Sequence, residues 1–217
     1  MPKRETILVL CAHNDDGLIG AGGTLTKYAD QGKQVLTIIF SYGEFSNPQI
    51  QPDLVKERRI REAIDADKIT GGSGITFFGL REGHFEEDAE YRNVPAKIKY
   101  ILKKYNPSKV LTHSIDDPHP DHRACYRVVM DVMRKFPKTE VYTFDVWNLL
   151  NLRHRDRPML ITDTSKTYQR KMNAFKAHQS QMRTPGVFML YYRTWVKDWW
   201  NGMFQGTRAA EVLMRMQ

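Results

Sequence analysis

The sequence predicts a Rossmann-like α/β fold, a mostly parallel sheet flanked by helices on both faces, and three observations predict it. β-favouring runs alternate with amphipathic stretches along most of the chain. Several of these runs are nearly continuous in apolar residues, the pattern of strands covered on both faces. Glycine and proline fall where helices should stop, at Gly32, Gly71 and Gly72, and Pro107. In order, TILVLCAH reads as a strand and Leu18 to Gln31 as a helix. QVLTIIF is the second strand, Leu54 to Ile69 the second helix and ITFFGL the third strand. A helix from Val94 to Tyr105 leads to the strand KVLTHS, and a helix from Asp121 to Phe136 leads to EVYTFDVW. MLITD then precedes a long helix from Lys166 to Met182. Residues 188–217, with Trp195, Trp199 and Trp200 among their aromatics, lack a clear period and read as an aromatic-rich C-terminal cap.

With 217 residues and 41% hydrophobic content, the chain can bury one substantial core, and residues 1–217 read as a single domain. No run approaches the roughly 18–20 uninterrupted apolar residues of a membrane-spanning helix, and MPKRET enters a strand without a cleavable signal pattern. A cytoplasmic protein without a transmembrane segment is expected. Cys11 and Cys125 are too few for an extracellular disulfide framework and read as buried thiols. The formal charge of +8 and pI near 9.4 admit an anionic substrate, a nucleic acid or an acidic membrane surface. The basic residues are spread over Lys56–Arg61, Lys97–Lys104, Arg153–Arg157 and Lys166–Lys176, and no nucleic-acid module accompanies them, so no nucleic-acid partner is expected. The C-terminal tryptophans, with Arg193 and Lys197, would suit a membrane surface; an interface between copies suits them at least as well, and a homo-oligomer is expected.

Two stretches carry chemistry. In CAHNDDGLIGAGGT, residues 11–24, a glycine-rich turn follows a strand, as in dinucleotide sites. The spacing fails: glycines fall at 20, 22 and 23, with Leu25 where G-x-G-x-x-G needs its third. Asp15 and Asp16 would also repel a phosphate from the helix start. They suit a cation instead. His13 and Asp16, three apart at a strand end, can converge on one metal while Asp15 projects elsewhere, and an open zinc site needs a third protein ligand. The best source is HSIDDPHPDHRA, residues 113–124, where His119 and His122 flank Asp121 at a helix entry after another strand. Ligands in open α/β sheets gather beyond strand C-termini at a switch point, so the two clusters can meet. His84, His154 and His178 have no acidic cluster at ligand spacing and read as non-ligands.

Ala12-His13-Asn14-Asp15-Asp16, with Gly20-Ala21-Gly22-Gly23-Thr24 behind it, resembles the A-H-P-D-D motif of the LmbE-like, or PIG-L, family of zinc-dependent N-acetylglucosaminyl deacetylases. The family's H-P-D-H-x-A is intact at His119 to Ala124. Weaker similarities are Gly43-Glu44, Arg59-x-x-Glu62-x-x-x-Ala66, Glu82-Gly83 and AFKAHQSQM at 174–182, so the resemblance spans residues 5–182. Asn14 stands in place of the usual proline, and Gly17 where many members have Glu. The resemblance implies one Zn²⁺ per chain, or another divalent metal, bound by His13, Asp16 and His122. It further implies Asp15 as the base, His119 as a protonated oxyanion stabiliser oriented by Asp121, and Arg59 and Glu82 on the sugar side. The implied substrate is an N-acetylated amino sugar with a place for an anionic aglycone, cleaved to acetate and a free amine. Alternatives are an amide hydrolase for a larger acyl or thiol-conjugate amide on the same centre, and a basic nucleotide or nucleic-acid binding module without catalysis.

Overall fold

The computed structural model describes residues 4–46, 49–148, 158–182 and 185–217. Arg153–Arg157 and His154 lie outside the described residues. In chain order the elements are β1 (Thr6–Cys11), α1 (Asp16–Asp30), β2 (Gln34–Ile39), α2 (Pro52–Thr70), β3 (Ile75–Phe77), α3 (Phe85–Tyr91), α4 (Val94–Tyr105), β4 (Lys109–His113) and α5 (Pro120–Met133). They continue with β5 (Glu140–Phe144), β6 (Met159–Asp163), α6 (Tyr168–Ala177), α7 (Gln179–Met182), α8 (Pro185–Phe204) and β7 (Ala210–Arg215). The strands form one sheet in the order β3-β2-β1-β4-β5-β7-β6. The first five are parallel; β7 runs antiparallel to both β5 and β6.

Alternate side chains of β1 feed two cores, as a sheet covered on both faces requires. Leu8 and Leu10 pack with α3, α4 and α5 through Phe85, Ile98 and Val129. Ile7 and Val9 pack with α1, α2, α6 and α8 through Leu25, Ala63, Phe175 and Leu190. The order reverses between β1 and β4, which makes their C-terminal ends the switch point. No helix among the described residues is long and apolar enough to cross a membrane.

Three elements differ from the sequence reading. The short α3 carries Glu86, Glu87 and Asp88 in its first turn, which favours a helix start but leaves almost no apolar period. The long helix at 166–182 is broken at His178 into α6 and α7, because the turn there brings Ser180 back onto α2: its N–H and hydroxyl donate to Glu62 at 2.8 and 2.6 Å. Residues 188–217 contribute not only the helix α8 but also β7, an interior strand of the sheet.

Candidate metal centre

The loops after β1 and β4 meet above the switch point. His13 sits two residues past β1, and its N–H donates to Asp16 Oδ2 at 2.7 Å, closing the turn that starts α1. On the other side, Pro120 opens α5 and His119 is its N-cap, with Nδ1 accepting from the Asp121 N–H at 3.2 Å. This places His122 one turn into the helix, with its ring centroid 5.4 Å from that of His13. Asp16 lies between them, Oδ2 being 3.3 Å from His13 Nδ1 and Oδ1 3.3 Å from His122 Nε2. Ligand atoms of His13, Asp16 and His122 all lie within 4.8 Å of one another.

Two other trios, His13–His119–Asp121 and His113–Asp117–His122, are equally close, and in both some of the oxygens and nitrogens accept backbone hydrogen bonds. Asp121 Oδ1 accepts from the Gly83 N–H at 2.9 Å. Asp117 Oδ2 accepts from the N–H groups of Val146 and Trp147 at 2.9 and 3.1 Å, and its Oδ1 from that of His119 at 3.1 Å. His113 Nε2 accepts from the Ala12 N–H at 3.0 Å. Buried His122 Nε2 makes no hydrogen bond, its nearest carboxylate oxygen being Asp16 Oδ1 at 3.3 Å. A donor set of two imidazoles and one carboxylate with an orphaned ring nitrogen fits one divalent cation of the zinc type.

The electrostatics favour a cation too. Burial works against protonating His13, yet Asp16, with Asp121 and Glu82, outweighs it and pushes the imidazole up to about 10. His122 is carried to about 9 by Asp16 and Asp117 against the same burial cost. Asp16, despite burial, is held well below the carboxylate range by His122, His113 and His13. A divalent metal held by these residues would meet that negative field and take the place of the ring protons.

Asp117 and His113 escaped the sequence reading. Asp117 Oδ1 faces His122 Nδ1 at 2.9 Å, the carboxylate that orients a ligand imidazole. Burial raises Asp117, but His122 and the backbone N–H groups hold it at about 2. His113 stacks on His122 with centroids 4.0 Å apart, and burial depresses it to about 4. Nothing in the sequence spacing separates Asp117 from its neighbour Asp116.

Beside the trio lies a cavity of about 150 Å³, bordered by His13, Asp15, Arg59, Glu82, His119 and Trp147. Asp15 caps α1 without a side-chain cap bond and is buried against Arg59, Nη2 to Oδ1 being 3.9 Å. Glu82 Oε1 is 3.6 Å from His13 Nε2, and burial raises its carboxyl. Arg59 is buried and reciprocally paired with Asn14, donating to its Oδ1 while Asn14 Nδ2 donates to the Arg59 carbonyl at 3.1 Å. Its guanidinium lies on Gly43 at φ 70°, where a Cβ would come within 2.5 Å of Cζ. His119 is lowered by burial and by His122 and His13, and Asp121 meets the ring through its backbone N–H rather than its carboxylate. His178 is buried near Asp15 and Arg59 and belongs to none of the ligand trios; exposed His84 pairs with Glu87 at 3.3 Å. The glycine stretch cradles no phosphate: the Gly23 and Thr24 N–H groups donate to Glu211 at 2.8 and 2.7 Å.

A switch-point pocket that joins a cation donor set, the buried Asp15 carboxylate and the His119 imidazole is the arrangement of an enzyme site on an α/β fold. The chain belongs to the PIG-L family, described as GlcNAc-PI de-N-acetylase, whose pattern matches residues 8–133. It is an enzyme of the amide-hydrolysing deacetylase class. It is 28% identical over 191 residues to the probable N-acetyl-alpha-D-glucosaminyl L-malate deacetylase 2 of Bacillus cereus, covering 81% of this chain and 83% of that one. Among solved structures it resembles the N,N'-diacetylchitobiose deacetylase of Pyrococcus horikoshii, with TM-score 0.81 and 19% identity over 98% of this chain and 84% of the other. It resembles equally the 4-carboxy-2-hydroxymuconate hydratase of Pseudomonas putida, with TM-score 0.81 and 20% identity over 98% and 96%. At such identities the last two speak for the fold alone.

Proposed function

We propose that the chain removes the N-acetyl group from an N-acetylglucosaminyl-type sugar, using one divalent metal, zinc by donor chemistry, held by His13, Asp16 and His122. The observation that carries this is the convergence of those three side chains, one with an orphaned ring nitrogen, beside a pocket holding Asp15 and His119. A metal there supplies Lewis acidity, making water a competent nucleophile near neutral pH and polarising the amide carbonyl. Asp15, outside the ligand trio, takes the proton of the attacking water and delivers it to the leaving amine nitrogen. His119 keeps its proton on Nε2, because Nδ1 accepts from the backbone, and donates it as a hydrogen bond to the carbonyl oxygen as negative charge gathers. The bond between carbonyl carbon and nitrogen breaks, leaving acetate and a free amine. Glu82 and Arg59 form the sugar side; Arg59 offers positive charge to an anionic aglycone, with Asn14 fixing the guanidinium. The protein acts as one domain on a small-molecule substrate in the cytoplasm.

The 27% identity over 123 residues to the 4-oxalmesaconate hydratase of Pseudomonas putida supports a second reading, addition of water to a carbon–carbon double bond at the same centre. An acetate-release assay on metal-reconstituted protein, run across malate-, inositol- and chitobiose-linked N-acetylglucosamine, decides between them. Acetate and amine in equal amounts are expected. Turnover of an unsaturated dicarboxylate without acetate release from any sugar would replace the proposal by the second reading.

A further inference from the structure

The pocket beside the ligand trio changes character along the sheet order. Arg59, lying on Gly43 after β2, and Glu82, after β3, border it on one side. Val146 and Trp147, just past β5, border it on the other, with Ile19 of α1 and Leu190 of α8 beside them. The histidines that follow β1 and β4 stand between the two. One end is therefore charged and the other apolar: Ile19, Val146 and Leu190 are buried in the core under α1 and α8, and half-buried Trp147 packs against it. The apolar end is also fixed in place. Asp117 Oδ2 accepts from the N–H groups of Val146 and Trp147, Lys197 Nζ donates to the Asp145 carbonyl at 3.0 Å, and Arg193 Nη2 to the Trp147 carbonyl at 2.7 Å. All four bonds engage the backbone of the segment, so they survive a change of the Trp147 side chain. The Arg193 guanidinium stands over the indole as well, with Cζ 5.9 Å from the ring centroid.

We infer that Trp147 sets the length of the acyl group the site accepts, and that the preferred group is a straight chain longer than acetyl. The inference rests on the proposed amide hydrolysis at His13, Asp16 and His122. In that reaction the carbonyl carbon lies at the ligand trio, with the sugar nitrogen on one side of it and the acyl carbons on the other. Charged Arg59 and Glu82 suit the sugar hydroxyls, so the acyl carbons run towards Ile19, Val146, Leu190 and Trp147. A lone methyl is a small partner for four apolar side chains. Each further methylene taken out of water is worth about fourfold in affinity until the chain meets the indole. The bond changes stay the same: water adds to the acyl carbon, the carbon–nitrogen bond breaks, and the nitrogen takes the proton. The products are the longer carboxylate and the free amine.

The test reads binding before turnover. Zinc-loaded protein, its metal content checked by elemental analysis, is titrated calorimetrically with acetate, propionate, butyrate and hexanoate, the carboxylates that such amides would release. Affinity should rise about fourfold per methylene as far as butyrate and then stop, hexanoate binding no more tightly. In Trp147→Leu and Trp147→Ala, hexanoate should overtake butyrate while acetate binds as in the wild type; either variant suffices if the other does not fold. N-butyrylglucosamine should be hydrolysed by the wild type with a higher kcat/KM than N-acetylglucosamine. A series that is flat from acetate to butyrate, or a limit that stays at butyrate in both variants, would overturn the inference even where acetate is released from N-acetylated sugars. A limit that moves with Trp147, in a chain that hydrolyses no N-acyl sugar, would keep Trp147 as the wall and overturn the proposed reaction instead. A chain that takes up no zinc would overturn both.

Discussion

Asp117 makes no direct contact with the cavity, yet it decides how His122 faces it. Asp117→Asn should weaken metal binding about 10- to 100-fold in a chelator competition, the usual cost of losing the carboxylate behind a ligand imidazole. His122→Ala should abolish metal retention; full occupancy by elemental analysis would remove His122 from the ligand set. Asp15→Asn should retain metal and lower kcat by roughly 10² to 10⁴, while His119→Ala should do so by roughly 10² to 10³. Near wild-type turnover in metal-replete Asp15→Asn would end its assignment as base. The residues proposed to carry the chemistry are legible because their spacing is a local property: His13 and Asp16 lie three apart at a strand end, and His119 and His122 at a helix entry. Their supports were not. Asp117 grips N–H groups some thirty residues on, at Val146 and Trp147, and His113 acts through a ring stack and the Ala12 N–H, contacts that leave no periodic trace.

At the scale of elements, the glycines of α1 serve close packing. A Cβ on Gly20 would fall 2.3 Å from the Phe144 ring, and one on Gly23 2.7 Å from Thr164 Cγ2. Glu211 of β7 reaches the α1 backbone there and is itself paired with Lys171 of α6 at 2.7 Å; Lys171 also meets Asp198 of α8. These groups are fully buried, so Lys171→Met should cost about 3–5 kcal/mol in urea unfolding, because two carboxylates lose their cation. A loss below about 1 kcal/mol would show that the carboxylates rehydrate. The helices facing one core were legible from their period. The helix α8 was not, because its buried face carries Thr194, Lys197 and Asp198 and its exposed face carries the aromatics, which inverts the signal a period search uses. The strand β7 is mostly buried on both faces, a pattern that alternation cannot reveal.

For the whole molecule, the alternation of strand and helix and the meeting of the two loops followed from the sequence, since a parallel sheet with its reversal between β1 and β4 admits little else. Stability should depend on pH through His178. Burial holds its folded pKa down at about 4, against an ordinary value of 6.5. Above pH 6.5 the ring is neutral folded or unfolded. As pH falls towards 4 the unfolded chain takes up the proton first, so stability drops by roughly 3 kcal/mol and then levels off. The stability difference between wild type and His178→Gln should therefore change between pH 6.5 and 4; a constant difference would show that the ring is protonated in the fold. The sheet order sets a timetable as well. Among the described residues β6 pairs only with β7, and the carboxylate that seats α1 comes from β7 too. A ribosome delivers that strand after every other element, so the nascent chain carries both metal-binding loops long before the helix behind the first is anchored. With the proposed metal, ribosome-released chains stopped at Arg208 should lose to a chelator the ion that chains extended through β7 keep.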